Sequence, residues 1–327
     1  MNARDNNPLG GTKVHDGRLA PVGHRKKVAA HPAALLDRDM TVLMSTPAPG
    51  DVRAVVDVLR TWQDDATPVQ LHPGDVGWFG RFGADAAAAA VRTWARDGRV
   101  VAVGLLDGSR LLRLATAPDA HRDEELARRL VADVSTPERG VLPDGEVSVE
   151  ARPGALVSDL LGVEGWDTEE PFAPLQRDLT GPVEDPGVRV EVVGPDRVSE
   201  RTAVHRAAFG GPSFTDERWH DLAAGALYAD ARCLLAYDDD GVAVGATTVW
   251  SAGPGRPGLI EPLGVHPDHR RRGFGRAITL AGAAVLRELG SSSAVVITES
   301  SRDAAVATYV SAGFQRLPDR HDRRRAG

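Results

Sequence analysis

Short apolar runs and helical periodicity alternate along this chain. The runs at 259–265 and 294–298 have the length of strands and are rich in aliphatic residues. Between them, apolar residues recur every three or four positions from Ile278 to Leu289, which predicts a helix that ends at Gly290. Strands and helices in this order predict a mixed α/β fold.

The same patterns predict the neighbouring elements. Strands are expected at 188–193, 233–237 and 242–250, and helices are expected at 195–209 and 215–226. After the strand at 294–298, Ser301 is expected to cap a last helix that ends at Gly313.

An internal repeat divides the chain. The segment VAVG occurs at 101–104 and again at 242–245, each time shortly after an Asp-Gly turn. We therefore predict two units with the same order of elements. The predicted boundaries are a leader at 1–40, a first unit at 41–180, a linker rich in Pro and Gly at 181–187, a second unit at 188–320 and a basic tail at 321–327.

A basic loop that contains glycines follows the strand at 259–265. Three arginines at 270–272 precede Gly273 and Gly275, where the predicted helix begins. Glycines let the backbone approach a ligand, the first N–H groups of a helix can bind an anion, and guanidinium groups fit phosphate oxygens. The loop is therefore predicted to bind a pyrophosphate. A dinucleotide-binding turn would need a third glycine where Ile278 stands.

Arg270, Gly273 and Gly275 in this setting resemble the acyl-CoA-binding motif of the GNAT N-acetyltransferases, and Arg276 fits the same motif. The resemblance implies two tandem acyl-CoA N-acyltransferase domains and acetyl-CoA as the donor, with its pyrophosphate held by loop amides. It also implies that the backbone N–H groups of Leu263 and Val265 bind pantetheine and stabilise the thioester oxyanion. The residues expected to bind acetyl-CoA are Leu263, Gly264, Val265, Arg270, Arg271, Arg272, Gly273, Phe274, Gly275, Arg276 and Ser301.

Tyr309 stands four residues before the pair Gly313-Phe314, as a tyrosine does in many GNAT enzymes. The resemblance implies that Tyr309 protonates the departing CoA thiolate, whereas a core tyrosine on an amphipathic helix is the alternative. Many relatives carry an asparagine seven residues earlier, where this chain has Arg302. Ser300 and Ser301, which precede it, are able to donate hydrogen bonds in place of the asparagine.

Glu261 lies two residues before Leu263, and so on the same face of a largely apolar strand. A carboxylate in such a strand needs a partner or a function. Two interpretations are open. Glu261 is either a general base that takes a proton from the acceptor amine, directly or through water, or one member of an ion pair with a nearby arginine.

The first unit lacks the features that carry chemistry. In place of the arginine–glycine loop it has residues 121–126, with three acids and no glycine, and carboxylates there would repel a pyrophosphate. Leu161 stands where the second unit has Tyr309. We expect a structural role for this degenerate unit, such as one wall of the acceptor cleft; retained CoA binding is the alternative. The final hairpin of the second unit is expected to be shortened.

Composition and charge narrow the function. The 327 residues carry a formal net charge of −7, which argues against a nucleic-acid partner. With a single cysteine, Cys233, no internal disulfide forms.

No apolar run has the length of a membrane span and no signal-peptide core is present, so we expect a cytoplasmic protein without a membrane partner. His266 and His269 have no further ligand in view, so no metal is expected. The leader at 1–40 is expected to be disordered apart from a short helix near 32–36.

Together these features indicate an acyl-CoA-dependent N-acyltransferase. We expect direct transfer of an acetyl group from acetyl-CoA to an amine in a ternary complex. Small amines, amino acids, aminoglycoside-like compounds and protein N-termini are all open as acceptors, and a monomer and a homodimer both suit two fused units. The alternative is a non-catalytic protein that binds or senses acyl-CoA.

Overall fold

The computed structural model describes residues 42–211 and 214–327. The leader predicted at 1–40, with its short helix near 32–36, lies outside the described residues. In the described part, runs of strands and helices follow one another in the mixed order that the sequence pattern predicts. No helix there is both long and apolar enough to cross a bilayer.

The elements of the first half are, in chain order, β1 (Val42–Ser45), α1 (Val52–Thr61), α2 (Pro73–Phe79), α3 (Ala84–Ala90), β2 (Val91–Arg96), β3 (Arg99–Leu106), β4 (Leu111–Thr116), α4 (Glu124–Ser135), β5 (Val147–Ala151), α5 (Leu156–Val163), β6 (Asp167–Thr168) and β7 (Phe172–Asp178).

The elements of the second half are β8 (Val190–Val192), α6 (Val198–Phe209), α7 (Asp216–Ala224), β9 (Ala231–Tyr237), β10 (Ala243–Trp250), β11 (Gly258–Val265), α8 (Phe274–Glu288), β12 (Ser293–Glu299), α9 (Asp303–Ser311), β13 (Gln315–Arg316) and β14 (Arg323–Arg325).

These strands form two mixed sheets of seven strands each. The first sheet has the order β1-β2-β3-β4-β5-β14-β6, and the second has the order β8-β9-β10-β11-β12-β7-β13. In each sheet the fourth and fifth strands run parallel, and the other neighbours are antiparallel. The two sheets repeat one topology, which confirms the mixed α/β fold and the repeated order of elements.

The two sheets exchange one strand each. The strand β7 of the first half lies between β12 and β13, and the C-terminal strand β14 lies between β5 and β6. The last two strands of the second half, β13 and β14, therefore do not pair with each other as a hairpin, and β7 of the first half takes the place beside β12 and β13. Two units joined near 181–187 remain our proposal for the domain organisation, with each sheet completed from the other side of the linker.

Arginines form the whole of β14, in a segment for which the sequence predicts a basic tail. Their side chains find acceptors on the first half. Arg323 Nε donates to Ser158 O at 3.0 Å, and Arg324 Nη2 donates to Glu146 Oε2 at 3.0 Å. Because acceptors of the first half bind these guanidinium groups, three consecutive arginines can occupy a strand that has no apolar face.

Helix α8 packs its apolar face on the second sheet. Ile278, Leu280 and Leu286 are fully buried, and α8 contacts β9, β10, β11 and β12. Gly290 follows the helix with a φ of 83°, a left-handed conformation that glycine adopts without strain. The helix predicted over 275–289 is thereby confirmed, and its N-terminus lies at the end of the loop that follows β11.

Candidate active site

The strands β11 and β12 separate soon after they begin. They pair only where Gly258 faces Ala294 and Leu259 faces Val295. Beyond these pairs a cleft of about 280 Å³ opens, with residues 260–263 of β11 on one wall and residues 296–299 of β12 on the other. Strands that separate leave backbone groups unpaired, so a ligand in the cleft can bind them.

The backbone of β11 presents N–H groups to this cleft. The N–H of His266 donates to Val244 O on β10 at 2.8 Å. Because N–H groups alternate in direction along a strand, those of Val265 and Leu263 point away from β10 and toward the cleft. At Gly264, between them, a Cβ would lie 2.6 Å from Ala208 Cβ of α6. Only glycine fits at this position, so the strand and α6 can approach closely.

The N-terminus of α8 is open. Gly273 is the N-cap residue, with a φ of 89°, and it forms no capping hydrogen bond with the described residues. Arg271 also has a positive φ, of 61°. The loop therefore turns sharply before the helix, and the free N–H groups of the first turn and the helix dipole favour an anion there.

Guanidinium groups surround this helix start. Arg270 Nε donates to Val265 O at 3.3 Å, and Arg276 Nε donates to Ser311 O at 2.9 Å. Arg271 has no hydrogen bond or ion pair with the residues that the structure describes, which leaves its charge available to a ligand. The exposed side chains are Arg270, Arg271, Arg272 and Arg276, beside the buried Phe274 and the half-buried Gly275.

A bulge in β11 directs Glu261 into the cleft. β11 has two residues, Glu261 and Pro262, where β10 has one, Thr248. Both bulge carbonyl oxygens accept hydrogen bonds from β10 side chains. Trp250 Nε1 donates to Glu261 O at 2.8 Å, and Thr247 Oγ1 donates to Pro262 O at 3.0 Å. The backbone at Glu261 is therefore fixed although the regular ladder is interrupted.

Glu261 is half-buried on the cleft wall and forms no ion pair with the described residues. Burial raises the pKa of its carboxyl group. Arg113 of the first half opposes this rise, whereas the carboxylates of Glu150 and Asp107 add to it. Arg113 itself is engaged by Asp107, at 2.9 Å, and by Glu150, at 3.5 Å. The geometry thus favours a general base over a direct ion pair for Glu261.

Tyr309 lines the same cleft from α9. Its side chain is buried, 6.2 Å from the ring of Phe314, and its hydroxyl has no hydrogen bond with another described residue. Burial, helped by the Glu261 carboxylate and opposed by Arg302, raises the pKa of Tyr309 to about 12. A tyrosine that stays protonated and faces a cleft has the properties of a general acid.

The expected Ser301 cap is not formed. Helix α9 begins at Asp303 with Arg302 as its N-cap residue, so Ser301 lies one residue too early to cap it. Ser301 is exposed and is not part of the cleft wall. Arg302 does line the cleft, and it binds Glu299 through hydrogen bonds of 2.9 and 3.1 Å.

Two aromatic residues in the wall of the cleft could hardly be predicted from the sequence. Phe172 begins β7 and reaches the second sheet only through the strand exchange. Phe209 ends α6 beside the tight contact at Gly264. The charged residues around Arg113 belong to the first half and are also far from Glu261 in the sequence. No local sequence pattern therefore links them to the site. Among the described residues, no group of His, Cys, Asp or Glu side chains is arranged to hold a metal ion.

In the first half, the corresponding helix start is closed by the protein's own carboxylate. Asp123 Oδ1 accepts the N–H of Leu126 at 2.8 Å and caps α4. Both carboxylate oxygens also bind Arg96, each at 2.8 Å, and Arg96 holds the pKa of Asp123 down to about 2. An incoming phosphate would have to displace an ionised carboxylate from this position.

Comparison with known proteins indicates an acetyltransferase. The acetyltransferase (GNAT) family matches residues 200–314. A mycothiol acetyltransferase of Arthrobacter sp. (strain FB24) is 30% identical over 241 residues, which are 67% of this chain and 71% of that protein. A mycothiol acetyltransferase of Propionibacterium freudenreichii subsp. shermanii is 29% identical over 279 residues, which are 80% of this chain and 84% of that protein.

Among solved structures, a tandem GNAT protein from the clavulanic acid biosynthesis pathway has a TM-score of 0.54 and 15% sequence identity, and the match covers 87% of this chain and 98% of that one. This likeness supports the fold with its two sheets. The chain belongs to the GNAT acetyltransferase family and is an N-acetyltransferase.

Proposed function

We propose that this enzyme transfers an acetyl group from acetyl-CoA to the primary amine of deacetylated mycothiol, by direct attack in a ternary complex. The observation that carries the proposal is the meeting of Glu261 and Tyr309, from β11 and α9, on the walls of one cleft. The acceptor class follows from the relatives, which are named mycothiol acetyltransferases.

Acetyl-CoA is bound both at its phosphates and at its acetyl group. The open N-terminus of α8 and the guanidinium groups around it bind the CoA phosphates. The acetyl-carrying arm enters the cleft between β11 and β12, where the N–H groups of Leu263 and Val265 point. One of these N–H groups binds the oxygen of the thioester carbonyl, where negative charge develops in the transition state, and the other binds the pantetheine arm.

The proton transfers are divided between two residues. The amine nitrogen forms a bond to the acetyl carbon, and Glu261 accepts the proton that the nitrogen loses. The carbon–sulfur bond breaks, and Tyr309 donates its hydroxyl proton to the leaving CoA sulfur. The raised pKa of each group suits its role, because Glu261 holds a proton more readily than an exposed carboxylate and Tyr309 stays protonated near neutral pH.

We further propose one donor site per chain. The helix start of α8 is open, whereas that of α4 carries Asp123 bound to Arg96. The first half therefore serves the reaction without a bound CoA of its own.

The proposal is tested by incubating the purified chain with acetyl-CoA and deacetylated mycothiol. Because this acceptor itself carries a thiol, the product is followed by mass spectrometry and not by a thiol reagent. We expect an acetylated product whose new group is on nitrogen, formed in proportion to the CoA released. CoA release without an N-acetylated product would contradict the proposal and favour a protein that binds acyl-CoA without using this acceptor.

A further inference from the structure

Helix α2 of the first half packs tightly on a tryptophan of the second half. At Gly74 a Cβ would lie 2.6 Å from Trp250 Cγ, and at Gly77 a Cβ would lie 2.7 Å from Trp250 Cε3. Cβ atoms in proteins essentially never approach heavy atoms this closely, so the indole lies directly on the glycine face of α2. Trp250 is almost fully buried.

The same indole holds the backbone at Glu261. Its N–H donates to Glu261 O at 2.8 Å, within the bulge that interrupts the β10–β11 ladder. A buried indole N–H needs an acceptor, and this carbonyl oxygen is the acceptor that the fold provides. Any shift of the ring on α2 would therefore be transmitted to the backbone that carries the Glu261 side chain.

A second contact fixes α2 relative to β11. His72 caps α2, with its Nδ1 accepting the N–H of Gly74 at 2.9 Å, and its Nε2 lies 3.1 Å from the carbonyl oxygen of Pro257, the residue before β11. Burial lowers the pKa of His72 to about 4. The ring is therefore neutral near pH 7, with Nδ1 as the acceptor and Nε2–H as the donor to Pro257 O.

We propose that α2 of the first half is a positioning element for acetyl transfer, because it holds the Trp250 indole that fixes Glu261 in the cleft. This inference rests on the proposed role of Glu261 as the general base. It gives the first half, whose own phosphate position is closed by Asp123, a part in the reaction of the second half.

The glycine face supplies a test with a matched control. Gly77→Ala should lower kcat by about 10- to 100-fold, because a displacement of about 1 Å at a catalytic group has an effect of this size. The Kd for acetyl-CoA should stay at the wild-type value. The arginine–glycine loop follows the last residue of β11, whereas Trp250 faces Leu259 near the beginning of that strand. Gly80→Ala adds the same methyl group three residues later, where its Cβ would make an ordinary contact of 3.8 Å with Leu222 Cδ1, and should leave kcat unchanged.

Trp250→Phe extends the test if Gly77→Ala does not fold. The phenylalanine ring keeps an aromatic contact but has neither the indole N–H nor the outer ring that an alanine at position 77 would strike. Trp250→Phe should lower kcat to a similar extent, and adding Gly77→Ala to it should have little further effect. Wild-type kcat in both single variants, or independent and multiplied losses in the double variant, would overturn the inference.

Glu261→Gln separates this inference from the proposed function. If Glu261→Gln keeps the wild-type kcat, Glu261 is not the base and the proposed chemistry itself is wrong. If Glu261→Gln loses activity while the Gly77 and Trp250 variants retain it, the chemistry stands and the positioning role of α2 fails.

Discussion

Gly275→Glu should abolish acetyl-CoA binding, with Kd raised by at least about 100-fold, or about 3 kcal/mol. Gly275 is the second residue of α8, next to the free N–H groups that we assign to the CoA phosphates. A carboxylate there would occupy the anion position, as Asp123 does in the first half. A glutamate in the first turn of a helix is otherwise favourable, so the fold should be retained. Titration calorimetry with acetyl-CoA measures the change.

Two further variants separate charge from size. Gly275→Ala brings a Cβ to 3.0 Å from Thr308 Cγ2 without adding charge, and should weaken binding far less. Gly181→Glu adds the same charge at an exposed linker position with no neighbour within 4 Å, and should bind acetyl-CoA as the wild type does. Unchanged affinity in Gly275→Glu would show that the CoA phosphates bind elsewhere.

Tyr309→Phe should lower kcat by about 100-fold or more while the Kd for acetyl-CoA stays the same. The change removes one hydroxyl from a buried ring, and proton transfer by a positioned side chain contributes about 10²- to 10⁴-fold to a rate. Tyr237→Phe is the matched control, since Tyr237 is buried in the core of the second half away from the cleft. Parallel losses of kcat and affinity in Tyr309→Phe would instead indicate a structural tyrosine.

The pH dependence of kcat follows from the same two groups. Glu261 acts in its deprotonated form, so kcat should rise with pH through a carboxyl pKa that burial places above the ordinary range. Tyr309 acts in its protonated form, and with a pKa of about 12 it should cause no alkaline loss below about pH 11. In Glu261→Gln the acidic limb should disappear together with most of the activity. An acidic limb that persists in this variant would have to be assigned to another group.

The sequence predicts well those features that are local in the chain. The run at 259–265, the arginine–glycine loop and the helix that follows are read from successive residues, and the structure has them as β11 and α8. The position of Glu261 on the strand is equally local. Its direction into the cleft depends on a bulge against β10, which periodicity does not reveal.

The features that the sequence does not predict join distant segments. The exchange of β7 and β14 pairs Phe172 with Glu299 and Arg323 with Val149. An arginine run has no strand periodicity, so its place in a sheet depends on partners that are far away in the chain. The contact of Gly77 with Trp250 is of the same kind, because a glycine in a helix gives no indication of the ring that requires it.

The internal repeat aligns the two halves, so the sequence alone predicts that the first half has lost the phosphate-binding loop. Three acids where the second half has arginines and glycines predict that a pyrophosphate is excluded. The structure shows how a pyrophosphate is excluded there, because Asp123 both caps α4 and binds Arg96. We therefore place the donor and the chemistry in the second half, and the positioning contact in the first.

Titration of the whole protein with acetyl-CoA, with the number of sites as the readout, tests this division most directly. We predict one site per chain, which is lost in Gly275→Glu. Two sites per chain would show that the first half binds CoA in spite of Asp123, and one site that survives Gly275→Glu would show that the CoA phosphates do not bind at the start of α8. Either result would contradict the assignment of a single donor site to the start of α8.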